Sequence, residues 1–233
     1  MYISNQADSA EISGSDLKTV QIARPQAGSL APLTDLRSGI KSLSCLVVNE
    51  GAIKTMALPE GWTSAKRFSN GIGQRYRESF RPPGEREAEI CVFYRAMAIS
   101  DEAANAFRHL IGQGASQTLT RGQIIAMQEV MGITSVGDNQ HTNSSTNPRF
   151  APRFHLRNAC TTKVQDRVVL LVEGNFQDES SHKTAEFKGI FVDTDGTGKM
   201  VQEIYYQAPQ TKFARFLPWF EKCLAESMEW KSA

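Results

Sequence analysis

The 233-residue chain lacks most of the short signatures by which a sequence declares its chemistry. It has no Walker-type phosphate loop, no Gly-x-Ser-x-Gly elbow and no His-Glu-x-x-His pair. These absences argue against a P-loop nucleotidase, an α/β-hydrolase and a helix-borne zinc protease. Its four cysteines, Cys45, Cys91, Cys160 and Cys223, are scattered and form no Cys-x-x-Cys pair. They are expected to be reduced structural thiols, not a zinc ribbon or a redox motif. No run approaches 18 uncharged apolar residues, so no helix is expected to span a membrane. The opening residues show neither the basic nor the apolar stretch of a secretory signal, and a cytoplasmic location is the expectation. Charge of one sign is also missing: 26 basic residues face 25 acidic ones, for a net of +1. That balance speaks against nucleic acid or an anionic membrane as the main partner. With 17 glycines and 9 prolines, the chain is neither fibrous nor of low complexity.

What is present is an ordinary globular composition, 40% hydrophobic and 22% charged, with a break near residue 40. Residues 1–40 hold a single aromatic, Tyr2, many Ser, Ala, Asp and Gln, and a linker-like stretch from Ala23 to Pro32. Such a segment cannot bury enough apolar surface to offset its ordering entropy, so a flexible N-terminal arm is expected there. Residues 41–233 then suffice for one domain that buries about 70% of its unfolded surface.

Within that domain, residues 43–48 and 52–58 read as two strands about the turn Asn49-Glu50-Gly51. In 87–96, Ile90, Val92 and Tyr94 fall on one face of a strand and Cys91 and Phe93 on the other. Ser100 ahead of Asp101 and Glu102 is a helix N-cap followed by acids at the positive end of the dipole. Thr120 and Gln123 fit a capping box, and the helix they open is expected to run to Met131, before Gly132. Beyond the polar stretch 134–152, residues 153–161 alternate, and 167–176 has the continuous centre of a strand covered on both faces. Residues 193–198 read as a hairpin turn. Phe213, Phe216, Leu217, Phe220, Leu224 and Met228 make the stripe of a helix lying on the core, expected to be interrupted at Pro218. Strands joined by hairpins, with helices grouped apart, predict an α+β fold with an antiparallel β-sheet packed by helices.

The element order resembles the PsbP-like superfamily of antiparallel α+β domains. Three features carry the resemblance: Leu58-Pro59-Glu60-Gly61-Trp62, the helix after the Ile90 strand, and the run from residue 168 through Gly189-Ile190-Phe191-Val192-Asp193 and Tyr205-Tyr206-Gln207-Ala208-Pro209 to Trp230. It covers about residues 43–231 and leaves the arm outside. It implies an α/β/α sandwich and a non-catalytic docking or assembly role, as in extrinsic photosystem subunits, a nuclear-import cofactor and secretion chaperones.

Candidate chemistry in the residues themselves is sparse. Asp193-Thr194-Asp195-Gly196 looks like the start of a calcium loop, but the twelfth position is Ile204, so a tight turn is the reading. Arg75, Arg77, Arg81, Arg86 and Arg95 are interleaved with Glu78, Glu85, Glu87 and Glu89, which predicts a solvated, salt-bridged face. His109 reads as a partly exposed helix side chain and His182 as a loop tip. The polar stretch 134–152 is long enough to be a binding loop. Asp138, His141, Arg149 and Phe150, together with His155 on the strand it feeds, are the candidate partner-binding residues. The preferred expectation is an assembly factor or adaptor recognising another protein through this loop and the arm, with no cofactor. The alternative is a small-molecule or metal-dependent enzyme using His141, His155 and Asp138, since imidazoles with a carboxylate suit zinc.

Overall fold

Hairpins set the frame. In a computed structural model of the chain, residues 43–69, 76–131, 153–177 and 184–232 are described. They all fall in the unit Lys41–Ala233, and the expected arm at 1–40 lies outside them. Strands β3 (Thr63–Ser69), β4 (Tyr76–Arg81), β5 (Glu89–Ala98), β6 (Arg153–Val164), β7 (Arg167–Gln177), β8 (Thr184–Asp193) and β9 (Met200–Pro209) form one sheet. Its order is β3-β4-β5-β9-β8-β7-β6, and every neighbouring pair is antiparallel. A second sheet, β1-β2-β10, joins β1 (Leu43–Val48) and β2 (Ile53–Pro59) to the three-residue β10 (Met228–Trp230). The α+β class with antiparallel sheets follows directly.

The two faces of the large sheet hold two apolar clusters. Ile90, Val92, Ile190, Val192, Ile204 and Tyr206 cluster with Ile53, Met56 and Leu58 of the small sheet and with Phe216 and Phe220 of helix α4 (Gln210–Lys222). Cys91, Phe93, Leu170, Val172, Phe191 and Tyr205 cluster instead with Ala103, Phe107 and Leu110 of helix α1 (Asp101–Gly112). The period-2 split of Ile90, Val92 and Tyr94 against Cys91 and Phe93 is therefore real, and Val169, Leu170 and Val172 of β7 are all fully buried. Ser100 caps α1 by accepting from the Ala103 N–H at 3.3 Å. Both halves of the Thr120 and Gln123 capping box form at the start of helix α2 (Arg121–Ala126).

Two helix readings need correction. The helix opened by Thr120 does not run through to Met131: Met127 leaves the helical region at φ −90° and ψ 0°, and a short α3 (Gln128–Met131) follows. Met127 is 1% exposed and packs in the α1-side apolar cluster. Pro218, in contrast, does not interrupt α4. An interior proline costs about 3 kcal/mol, while full burial of a phenylalanine contributes about 1.5–3 kcal/mol. Phe216 and Phe220, on either side of Pro218, are both buried, and together they outweigh the lost hydrogen bond. The helix continues into a π-helical turn, Cys223–Ser227, before β10.

Gln202 ties the small sheet to the large one. Its side chain, fully buried on β9, accepts from Ala52 N at 2.7 Å and donates to Glu50 O at 3.1 Å. Trp230 of β10 donates from Nε1 to Val164 O at 2.9 Å, and Ser227 Oγ reaches Ala57 O at 2.8 Å.

Candidate functional site

A patch of polar side chains lies on the α1-side face of the large sheet, where β4, β5 and β9 run together. Register places it there: Ser79 is opposite Cys91, Cys91 opposite Tyr205, and Glu89 opposite Gln207. Glu89 is the hub. One carboxylate oxygen accepts from Arg81 Nε at 3.1 Å and Nη2 at 2.8 Å; the other accepts from Gln207 Nε2 at 2.7 Å and lies 3.9 Å from Arg77 Nη2. Arg77 Nη2 also donates to the Tyr205 hydroxyl at 3.3 Å, and Ser79 Oγ meets Cys91 Sγ at 3.2 Å. Arg77 and Glu89 are 4% and 6% exposed, so the expected face is salt-bridged at both but not solvated. The full expectation holds nearer the rim, where Lys212 Nζ bridges Glu85 at 2.7 Å and Glu87 at 2.9 Å.

The electrostatics of the patch disfavour nucleophilic chemistry. Burial, then the Glu89 carboxylate, pushes the Cys91 thiol up to about 11 against the opposing pull of Arg77. The Tyr205 phenol is raised well above its ordinary range by burial and then by Cys91. Burial works against the charge on Arg77, but Tyr205, Cys91 and Glu89 outweigh it and its net shift is upward. At neutral pH the thiol and phenol keep their protons and the guanidinium its charge. Cys91 is thus a buried thiol of the apolar cluster, as its sequence neighbours suggest, that also meets the Ser79 hydroxyl at the margin of the polar set.

Alkaline pH is therefore expected to weaken the fold. On unfolding, the Cys91 thiol and the Cys223 thiol, which burial pushes up to about 12, return to the ordinary thiol range. Between about pH 9 and pH 11 the folded chain retains protons that the unfolded chain releases, so stability falls as pH rises. The loss per thiol is on the order of 2 kcal/mol. Urea denaturation at a series of pH values should show this slope, and Cys91→Ala should flatten it; equal slopes in the two proteins would refute the assignment.

Of the five residues expected to bind a partner, Asp138, His141, Arg149 and Phe150 lie outside the described residues, as does His182. His155 is exposed on β6, the outermost strand next to β7. The trio Asp138, His141 and His155 is thus not seen assembled, and no cluster of metal-ligating side chains occurs among the described residues. The β6 edge itself is divided. Around residues 159–161 it is covered by the stretch 116–119: Leu119 N donates to Ala159 O at 2.9 Å, Thr161 N to Gln117 O at 2.8 Å and Ser116 N to Thr161 O at 2.7 Å. From Arg153 to Asn158 no described strand pairs with the outer side, and a bulge separates Leu156 from Asn158. Arg157, at that bulge, is held by the Glu186 carboxylate at 2.5 Å.

No family model and no curated protein matches the chain. Among solved structures, it is similar to a Pseudomonas aeruginosa protein of unknown function, PA94, at 11% identity and a TM-score of 0.38, over 82% of this chain and all of that one. It is also similar to LpqN, involved in cell envelope biogenesis of Mycobacterium tuberculosis, at 8% identity and a TM-score of 0.39, over 82% of this chain and 91% of that one.

The 193–198 turn behaves as a turn. The Asp193 carboxylate accepts from Gly196 N at 3.1 Å, Gly198 N at 2.9 Å and Asp195 N at 3.4 Å, and the Asp195 carboxylate accepts from Thr197 N at 3.0 Å. Both acids are spent on backbone N–H groups, the geometry of a stapled loop instead of a cation cage. Among the described residues, no helix is long and apolar enough to cross a membrane.

Proposed function

We propose that the chain is a protein-docking domain of the assembly-factor or adaptor kind, which takes an extended segment of another protein onto the edge of β6. The observation that supports this is the half of that edge, residues 153–158, that no described strand covers and that directly follows the polar stretch 134–152. An edge strand offers unpaired backbone groups, and an added strand satisfies them while flanking loops supply specificity. On this reading Asp138, His141, Arg149 and Phe150 contact the partner beside the edge, His155 contacts it on the edge, and the arm at 1–40 orders on binding. The layers are read as an α/β/α sandwich, with α1–α3 on one face and α4 with the small sheet on the other. The resemblance to PsbP-like domains points the same way, and the proposed location is cytoplasmic.

Hydrogen exchange on the full chain, alone and with its co-purified partner, tests the reading. Binding should slow exchange at edge amides within 153–158 by about tenfold or more. Deleting 142–148 should abolish binding while leaving the unfolding midpoint nearly unchanged. Binding without protection of 153–158 would remove the edge from the proposal, and undiminished binding by the deletion variant would remove the loop.

A further inference from the structure

The outer side of β6 already carries one added strand, and it shows what a second would need. We propose, on the premise that β6 is the docking edge, that the partner's segment alternates apolar and polar residues and runs antiparallel to β6, with apolar residues opposite Phe154 and Leu156.

The chain's own example is the stretch 116–119. It runs antiparallel to β6 with Thr118 opposite Cys160. Leu119 N donates to Ala159 O and Thr161 N to Gln117 O, so Leu119 faces Ala159 across the pair. Both are buried in the apolar cluster on the α1 side of the sheet. Thr120 then caps α2 by accepting from Gln123 N at 3.3 Å, and the internal strand ends there.

Register carries the same geometry past the bulge. Ala159 pairs with Val172 of β7, Leu156 with Gly174 and Phe154 with Phe176. Val172, Gly174 and Phe176 are alternate residues of one continuous strand, so their backbone groups all point the same way. Ala159 turns its C=O outward, to Leu119. Leu156 and Phe154 meet the same set on β7, and they therefore also turn their N–H and C=O outward. Among the described residues no strand lies beside those groups.

The two faces of the edge decide which side chains fit. Leu156 is half-buried and packs against the α1-side cluster, which includes Phe176 and Phe187. A partner residue exchanging backbone bonds with Leu156 puts its side chain on that face, as Leu119 does beside Ala159. The next partner residue falls on the opposite face, beside His155, which is exposed. Apolar residues are thus favoured at alternate positions, with polar ones between them. Length is limited too. The bulge between Leu156 and Asn158 breaks the ladder, and Arg157 within it is drawn to the Glu186 carboxylate, whose side chain is 7% exposed. Residues 153–156 span roughly 13 Å, room for about four partner residues.

NMR titration of the full chain with a capped pentapeptide, threonine and valine in alternation with valine second and fourth, tests the pattern. It should saturate with shifts centred on 153–158. Replacing both valines by asparagine should weaken binding at least about fivefold. N-methylation of the two valine amides removes the donors to Phe154 and Leu156 and should abolish saturation. N-methylation of the central threonine, whose N–H points away from β6, should be tolerated. Failure to saturate, shifts centred elsewhere, an asparagine peptide of equal affinity, or a valine-methylated peptide that still binds would each overturn the proposal. So would a free chain that is a dimer with the amides of 153–158 protected, since the edge would then belong to a second copy. A native partner that protects 153–158, beside an asparagine peptide of equal affinity, would overturn the alternation alone. A native partner that binds without protecting 153–158 would overturn the docking reading and this one with it.

Discussion

Replacing Glu89 by alanine is expected to cost about 3–5 kcal/mol of stability, because it removes one partner of a buried charge set. The carboxylate is grasped through two bonds by Arg81, bonded by Gln207 and faced by Arg77 at 3.9 Å. Arg77 is 4% exposed, and water cannot readily replace the lost anion beside it. By contrast, an exposed pair such as Lys54 with Glu229, whose side chains are 61% and 59% exposed, is worth about 0–1 kcal/mol. Glu89→Gln keeps the size and one acceptor, so an intermediate loss is expected. A double replacement, Arg77→Met with Glu89→Leu, should recover much of the stability, since an apolar pair of similar volume often matches a buried ion pair. Urea denaturation followed by circular dichroism measures all three. A Glu89→Ala loss of under about 1 kcal/mol, the surface range, would show that the patch is solvated after all.

Gly189→Ala is expected to destabilise by about 1–3 kcal/mol, and Gly189→Val to prevent folding at ordinary temperatures. Gly189 sits in β8 opposite Tyr205 of β9. A Cβ there would come within 2.7 Å of Tyr205 Cβ and 2.7 Å of Phe187 Cζ. The phenyl ring can tilt, but Tyr205 Cβ is attached to the backbone of the paired strand and can retreat only if the ladder opens. Phe187 and Tyr205 already pack at 5.2 Å between ring centroids and are essentially fully buried. A midpoint fall of about 2–4 °C per kcal/mol is expected for a domain of this size. Phe187→Leu should restore part of the loss in Gly189→Ala. A Gly189→Ala midpoint at or above that of the parent would mean the strands have room to spare.

Local rules made the strands and caps legible, and distant residues made the rest illegible. The Ile90, Val92 and Tyr94 alternation, the Ser100 cap and the Thr120 capping box depend on neighbours a few residues away. The burial of Arg77 depends in part on Tyr205, 128 residues on, and no local pattern of Arg and Glu reveals it. One signal was nevertheless present. Folding the chain back at Arg81-Pro82-Pro83-Gly84 brings Ser79 opposite Cys91, which places Arg77, Arg81, Glu89 and Cys91 on one face. The continuity of α4 across Pro218 was hidden for a similar reason, because the burial of Phe216 and Phe220 is a property of the assembled core. Of the candidate binding residues, only His155 falls where the fold can be described. Its exposure and its edge position both follow from β6 being outermost, a fact of topology that periodicity cannot supply.

The late arrival of β10 has a consequence for synthesis. The bond from Ser227 to Ala57 spans 170 residues, and that from Lys231 to Asn49 spans 182. At about 5–20 residues per second, the ribosome holds β1 and β2 for roughly 10–30 s before their third strand exists. Throughout that interval Met56 and Leu58, both fully buried in the finished fold, have neither β10 nor α4 to cover them. Vectorial synthesis therefore makes the first ribbon of the domain to emerge one of the last to be closed, and the nascent chain is most open to mispairing at residues 43–59.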